Sequence, residues 1–112
     1  MVYDEGMVER IRSILDDLGH VEFEEKKMFG GVGVMMRGNM TCGVYKGFFI
    51  ARVGSDAYEA ALIKPHARPF DITGKPMKGW VMVMPEGVEE DSALREWIEA
   101  SLAFSLTLPD KI

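Results

Sequence analysis

One cysteine, Cys42, stands in the whole chain, so no internal disulfide can form. Nothing ties the fold to an oxidising compartment. Long apolar runs are missing too: no stretch approaches the roughly 18 uninterrupted apolar residues of a membrane span. The first 25 positions hold eight acidic residues and two arginines, where a secretory leader has a basic start and an apolar core. The chain is therefore expected to be cytoplasmic, with no membrane contact. Histidine is scarce. Neither His20 nor His66 has a second ligand at metal-binding spacing, so both read as loop histidines and no metal site is expected. Both lie far along the chain from Cys42, which leaves a cysteine nucleophile without a base and reads as an inert core thiol. With no paired carboxylates either, the sequence offers no catalytic residue and no cofactor site, and the expectation is a protein that is not an enzyme.

A strongly basic balance is also absent. The net charge is -5, which argues against a dedicated nucleic-acid binder, whose affinity comes from clustered lysine and arginine. The charge is nevertheless segmented. Residues 1–27 carry eight acidic and four basic residues, 28–79 three and seven, and 80–112 seven and two. The middle is basic between acidic ends, so a local anion site stays open. Direct DNA binding is disfavoured further because the last helix has one arginine, Arg95, against Glu96 and Glu99.

What the chain has is enough apolar material for one core, 47% hydrophobic residues over 112 positions, and room for one domain, residues 1–112. Asp4 suits an N-cap, Met7, Val8, Ile11, Ile14, Leu15 and Leu18 recur at helical spacing, and Gly19 suits the stop. From Phe23 the period becomes two. Gly30, Gly31 and Gly33 complete neither phosphate-loop pattern and are followed by a strand, so they read as glycines permitting a bulge and close backbone approach at the bend of a long first strand. Turns at Gly38-Asn39 and Lys46-Gly47 then give a three-stranded meander. A second helix begins near Ser55, carries Tyr58, Ala61 and Leu62 inward and ends by Pro65. Strands over Arg68 to Ile72 and Trp80 to Met84 are joined by a turn at Thr73-Gly74-Lys75-Pro76. Asp91 opens the last helix, with Leu94, Trp97, Ile98, Leu102 and Leu106 as its stripe. The expected fold class is α+β, a two-layer α-β(3)-α-β(2)-α order with an antiparallel sheet and helices on one side.

Those turns fix which residues share a face. One face takes Met35, Met40, Cys42, Val44, Phe49, Ala51 and Val53; the other takes Val32, Val34, Met36, Tyr45, Phe48 and Ile50. Helices cover one face only, so the second set forms an apolar patch that monomers rarely keep exposed. A homodimer through Val32, Val34, Met36, Tyr45, Phe48 and Ile50 is expected, with a different protein partner as second choice. Nine methionines read mainly as core filling, with an adaptable binding surface as the other reading.

The segments KKMFGGVGVMMRGNM, FIARV, the helix start from Ser55 to Leu62, RPFDITGKPMKGWVMV and LREWIEASLAFSLTLP resemble, in that order, the N-terminal domain of the TfoX/Sxy family. The resemblance runs from about Met7 to Pro109, and FGG and GKPMKGW are its most specific parts. It implies a secretion-chaperone-like α/β domain, in agreement with the element order above. Longer members regulate natural competence together with the cyclic-AMP receptor protein and carry a C-terminal domain; this chain is expected to be a stand-alone N-terminal domain. The family brings no catalytic residues.

Two function classes follow. The first is a non-enzymatic interaction or regulatory module working through protein contacts. In the second, Arg52, Lys64, His66, Arg68, Lys75 and Lys78 converge on a small anionic ligand. If the dimer reading holds, Phe48→Asp turns a dimer into a folded monomer in sedimentation; a wild type already monomeric at high concentration contradicts it.

Overall fold

The computed structural model describes residues 3–19, 22–28, 30–71 and 74–109. His20, the strand end at Ile72 and the turn residue Thr73 lie outside them. Ten elements follow one another: α1 (Glu5–Asp17), β1 (Glu24–Met28), β2 (Gly31–Met36), β3 (Asn39–Tyr45), β4 (Phe48–Arg52), α2 (Ser55–Leu62), β5 (Ala67–Pro69), β6 (Trp80–Val83), a 3-10 turn (Pro85–Val88) and α3 (Asp91–Ser105). The strands form one open antiparallel sheet in the order β1-β2-β3-β4-β6-β5. The α+β class, the antiparallel sheet and the one-sided helices are as expected.

Local chemistry accounts for the helix ends. The Met7 amide donates to Asp4 Oδ1 at 3.1 Å, satisfying one of the free amides of the first turn of α1, and Gly19 takes the left-handed conformation after its end. Met7, Val8, Ile11 and Leu15 form the buried stripe between. Ser55 is the first residue of α2 rather than its cap. The cap position belongs to Gly54, with φ +85°, where any Cβ would run into the Phe104 ring.

The sheet departs from expectation in strand count and in register. The single long first strand is two strands: Gly30 has φ +78°, Met28 faces Gly31 across a tight turn, and the chain doubles back. The expected close backbone approach is present, since a Cβ on Gly31 would overlap the Val44 carbonyl oxygen. The next turn is Arg37-Gly38, not Gly38-Asn39: Met36 pairs with Asn39, and φ is +52° at Arg37 and +81° at Gly38, as a type I′ hairpin requires. One residue of slip sends every side chain of a strand to the opposite face. A bulge follows within the same ladder. Val34 pairs with Cys42 but Met35 with Met40, so Thr41 is the extra residue. β5 is also shorter than expected and ends at Pro69, which has no amide to continue the ladder.

The helix-facing side of the sheet is consequently Val32, Val34, Met36, Cys42, Val44, Phe49, Ala51, Val81 and Val83. These join the α1, α2 and α3 stripes, including Leu94, Trp97, Ile98 and Leu102, in one core. At the bulge the fully buried Thr41 faces this side together with Cys42, and its hydroxyl donates to Ser105 Oγ at 3.0 Å. Arg37 and Asn39 hold the segment after α3 through the carbonyls of Leu106 and Pro109. Arg10 joins α1 to the start of α3 through the Val88 and Glu89 carbonyls and Asp91, and Arg12 grips the edge strand through both oxygens of Glu25 at 2.6 and 2.7 Å. The Arg12 hydrogen bonds hold the Glu25 carboxyl below its ordinary range, so the stability this clamp adds is complete above that range and is lost as pH falls through it and on through the lowered value.

The bulge makes a stability prediction. Thr41→Ala strands the buried Ser105 hydroxyl and is expected to cost about 1–3 kcal/mol in urea unfolding, while Thr41→Ala with Ser105→Ala costs less than the sum of the single changes. Strict additivity would mean that Thr41 does not point at α3.

Candidate interaction surface

With all three helices on one side, the pairing register spells out what the other side presents. Lys26 pairs with Gly33, Gly33 with Gly43, Gly43 with Ile50, Ile50 with Met82 and Met82 with Arg68. This is one continuous row across all six strands. A row on one side of it holds Met28, Gly31, Tyr45 and Phe48, and a row on the other holds Met35, Met40, Arg52 and Trp80. The middle row is low where it consists of glycine and walled by larger side chains. Ile50 is 2% and Met82 7% exposed, yet neither belongs to the helix-side core. They are buried by their own neighbours on the outer face.

Methionines fill this groove. A Cβ on Gly33 would meet Met28 Cε at 3.0 Å and Met40 Cε at 3.4 Å, and one on Gly43 would meet Met40 Cε at 3.0 Å. Unbranched thioethers lying over backbone can change rotamer at small cost and adapt to a different surface. The cations of the face are partly spent on aromatic rings, one of them Phe104 of α3 at the end of the sheet. The Arg52 guanidinium lies 5.1 Å from the centre of Trp80 and 5.3 Å from that of Phe104, with a bond to the Met40 carbonyl at 3.3 Å, and Lys46 Nζ is 5.4 Å from the centre of Tyr45.

Of the expected interface residues, Tyr45, Phe48 and Ile50 lie on this outer face. Val32, Val34 and Met36 do not: the Arg37-Gly38 turn places them in the helix-side core. The same register sends Met35 and Met40 outward, opposite to expectation, while Cys42, Val44, Phe49 and Ala51 face the helices as expected. Half of the patch that supported a homodimer is thus interior. Met28, Trp80 and Met82 were not anticipated on the outer face; for the two methionines the signal was the surplus of methionine.

The expected anion cluster divides. Arg52 and Arg68 are on the outer face, flanking β6, whereas Lys64 lies on the helix side, 4.9 Å from the Trp97 ring centre. His66 precedes β5 in a left-handed conformation, with its carbonyl accepting from the Met84 amide at 2.8 Å. Lys75 and Lys78 are exposed on the β5–β6 connection. The six groups do not surround one point, because the β4-β6-β5 strand order separates Arg52 from Arg68 by a strand and puts Lys64 behind the sheet. On the helix side, a shallow cleft of about 230 Å³ between α1 and the sheet includes Arg12, Glu25 and Lys27, and its arginine is already committed to Glu25.

Cys42 is fully buried and its thiol is pushed up to about 12 by burial. Among the described residues no group of three or more histidine, cysteine or acidic side chains is placed to hold a metal ion. None of the described helices is long and apolar enough to cross a membrane.

Residues 13–105 match the family model described as the TfoX N-terminal domain. No curated protein and no solved structure matches the chain.

The state of Cys42 has two measurable consequences. A thiol reagent should label it only as fast as the protein unfolds; labelling of the native protein at the denatured rate would place Cys42 on a solvent face. The unfolded thiol ionises near 9.0 but the folded one only near 12, so the folded state binds more protons in that interval and stability falls as pH rises through it.

Proposed function

The chain belongs to the TfoX N-terminal domain family, and from that premise we propose that it is a non-enzymatic interaction module which holds another protein on the outer face of its sheet. The observation that carries this reading is the outer groove. It is apolar and methionine-filled, and among the described residues no helix lies over it. Uncovered apolar faces of this kind commonly mark contact sites. The sheet edges suit docking less well. β1 is exposed and reads Glu-Glu-Lys-Lys, and β5 has three residues and a proline, both features that discourage strand addition. A partner therefore meets side chains of the face, not backbone at an edge.

A regulatory role fits the family resemblance, the module acting by bringing its partner to others. The competing reading, a small anion held by Arg52, Lys64, His66, Arg68, Lys75 and Lys78, loses its support with their separation across the two sides of the sheet.

The test is capture of native partners from the cells of origin with tagged wild type and Phe48→Asp. A stoichiometric protein held by wild type and lost from the folded variant is the expected result. A partner retained by Phe48→Asp but lost on changing helix-side residues would move the working surface to the other layer.

A further inference from the structure

We infer that the outer groove receives a helical segment of another protein, apolar in its middle, acidic at both ends and about sixteen residues long. This rests on the reading of the outer face as a protein-binding surface and adds the chemistry of what binds there.

The row that floors the groove gives the argument. It begins at Lys26 on one edge strand, passes Gly33, Gly43, Ile50 and Met82, and ends at Arg68 on the other edge strand. Lys26 and Arg68 are exposed. Five strand-to-strand steps of about 4.8 Å separate them, roughly 24 Å in all. At about 1.5 Å per residue a helix needs about sixteen residues to reach from one cation to the other. Its middle would lie over paired glycines, which let a helix come close to the sheet, and over two thioethers that can move aside or close around an inserted side chain.

Charge decides between occupants. On the strands of the outer face, Lys26, Arg52 and Arg68 stand against Glu24 alone. The helix side is the reverse: α1, α2 and residues 85–105 carry twelve acidic and three basic residues. A second copy docking face to face opposes like charges, which costs affinity and argues for a different partner. Single-stranded nucleic acid needs open ring faces on which bases stack. Here Tyr45 lies under Lys46 and Trp80 under Arg52, so neither ring is left open to a base. An acidic, apolar protein segment meets both the charge and the groove.

The experiment is a selection from a random peptide library of about twenty residues, long enough for the helix, displayed against the native protein and depleted against Phe48→Asp. The expected winners carry apolar residues at helical spacing with Asp or Glu toward both ends. The best of them should lose at least about tenfold in affinity to the Lys26→Glu/Arg68→Glu protein and weaken as salt rises. Winners that are neutral or basic overturn the acidic-segment inference and leave the interaction face standing; a library that yields nothing dependent on Phe48 overturns both. Two further outcomes count against the inference: an oligothymidine that binds the groove as tightly as the best peptide, and a wild type that sediments as a dimer broken by Phe48→Asp.

Discussion

The register of the β2–β3 hairpin is the constraint on which the remaining structure depends. Arg37 and Gly38 both take positive φ, Met36 meets Asn39, and a single extra residue at Thr41 restores the alternation further along. Because side chains alternate strictly, these two local events decide together that valines and Met36 enter the core while Met35 and Met40 stay outside. Neither event alone would do so. A hairpin closed one residue later would reverse the face of β2, and without the bulge Cys42 and Val44 would leave the helix side.

From that sorting come two surfaces of different character. The helix layer buries a close-packed aliphatic and aromatic core and faces solvent with an excess of carboxylates, tied across elements by Arg10, Arg12 and Arg95. The opposite side of the same sheet is softer, floored by glycine and filled by thioethers, with its strand cations at the margins or laid against aromatic rings. Exposed ion pairs of the first surface contribute little stability each. The adaptable second surface is where recognition is best placed, since methionine can refit to a partner at small cost.

Much of this was legible in the chain. The spacing of Met7, Val8, Ile11 and Leu15 gave α1, the Leu94, Trp97, Ile98 stripe gave α3, and Lys46-Gly47 set the β3–β4 pairing that puts Cys42, Val44, Phe49 and Ala51 inward. The misreadings arose where several residues satisfied the same rule. Gly30 suits a bend as well as a turn, and Gly38 can be the first or second residue of a hairpin loop; an arginine in the left-handed region has no local signature. A bulge at Thr41 depends on a hydroxyl that is 64 positions away in sequence. The basic cluster failed for a topological reason: β6 lies between β4 and β5, an insertion that linear order does not disclose.

The most direct measurement is a methyl spectrum of the protein labelled at methionine, recorded with a soluble paramagnetic agent. The account predicts strong broadening at Met35 and Met40 and sparing of Met7 and Met36, which are 4% and 6% exposed in the core. Broadening of Met36 with Met35 and Met40 protected would contradict it, since the hairpin would then close one residue later and the valine face of β2 would be the open one.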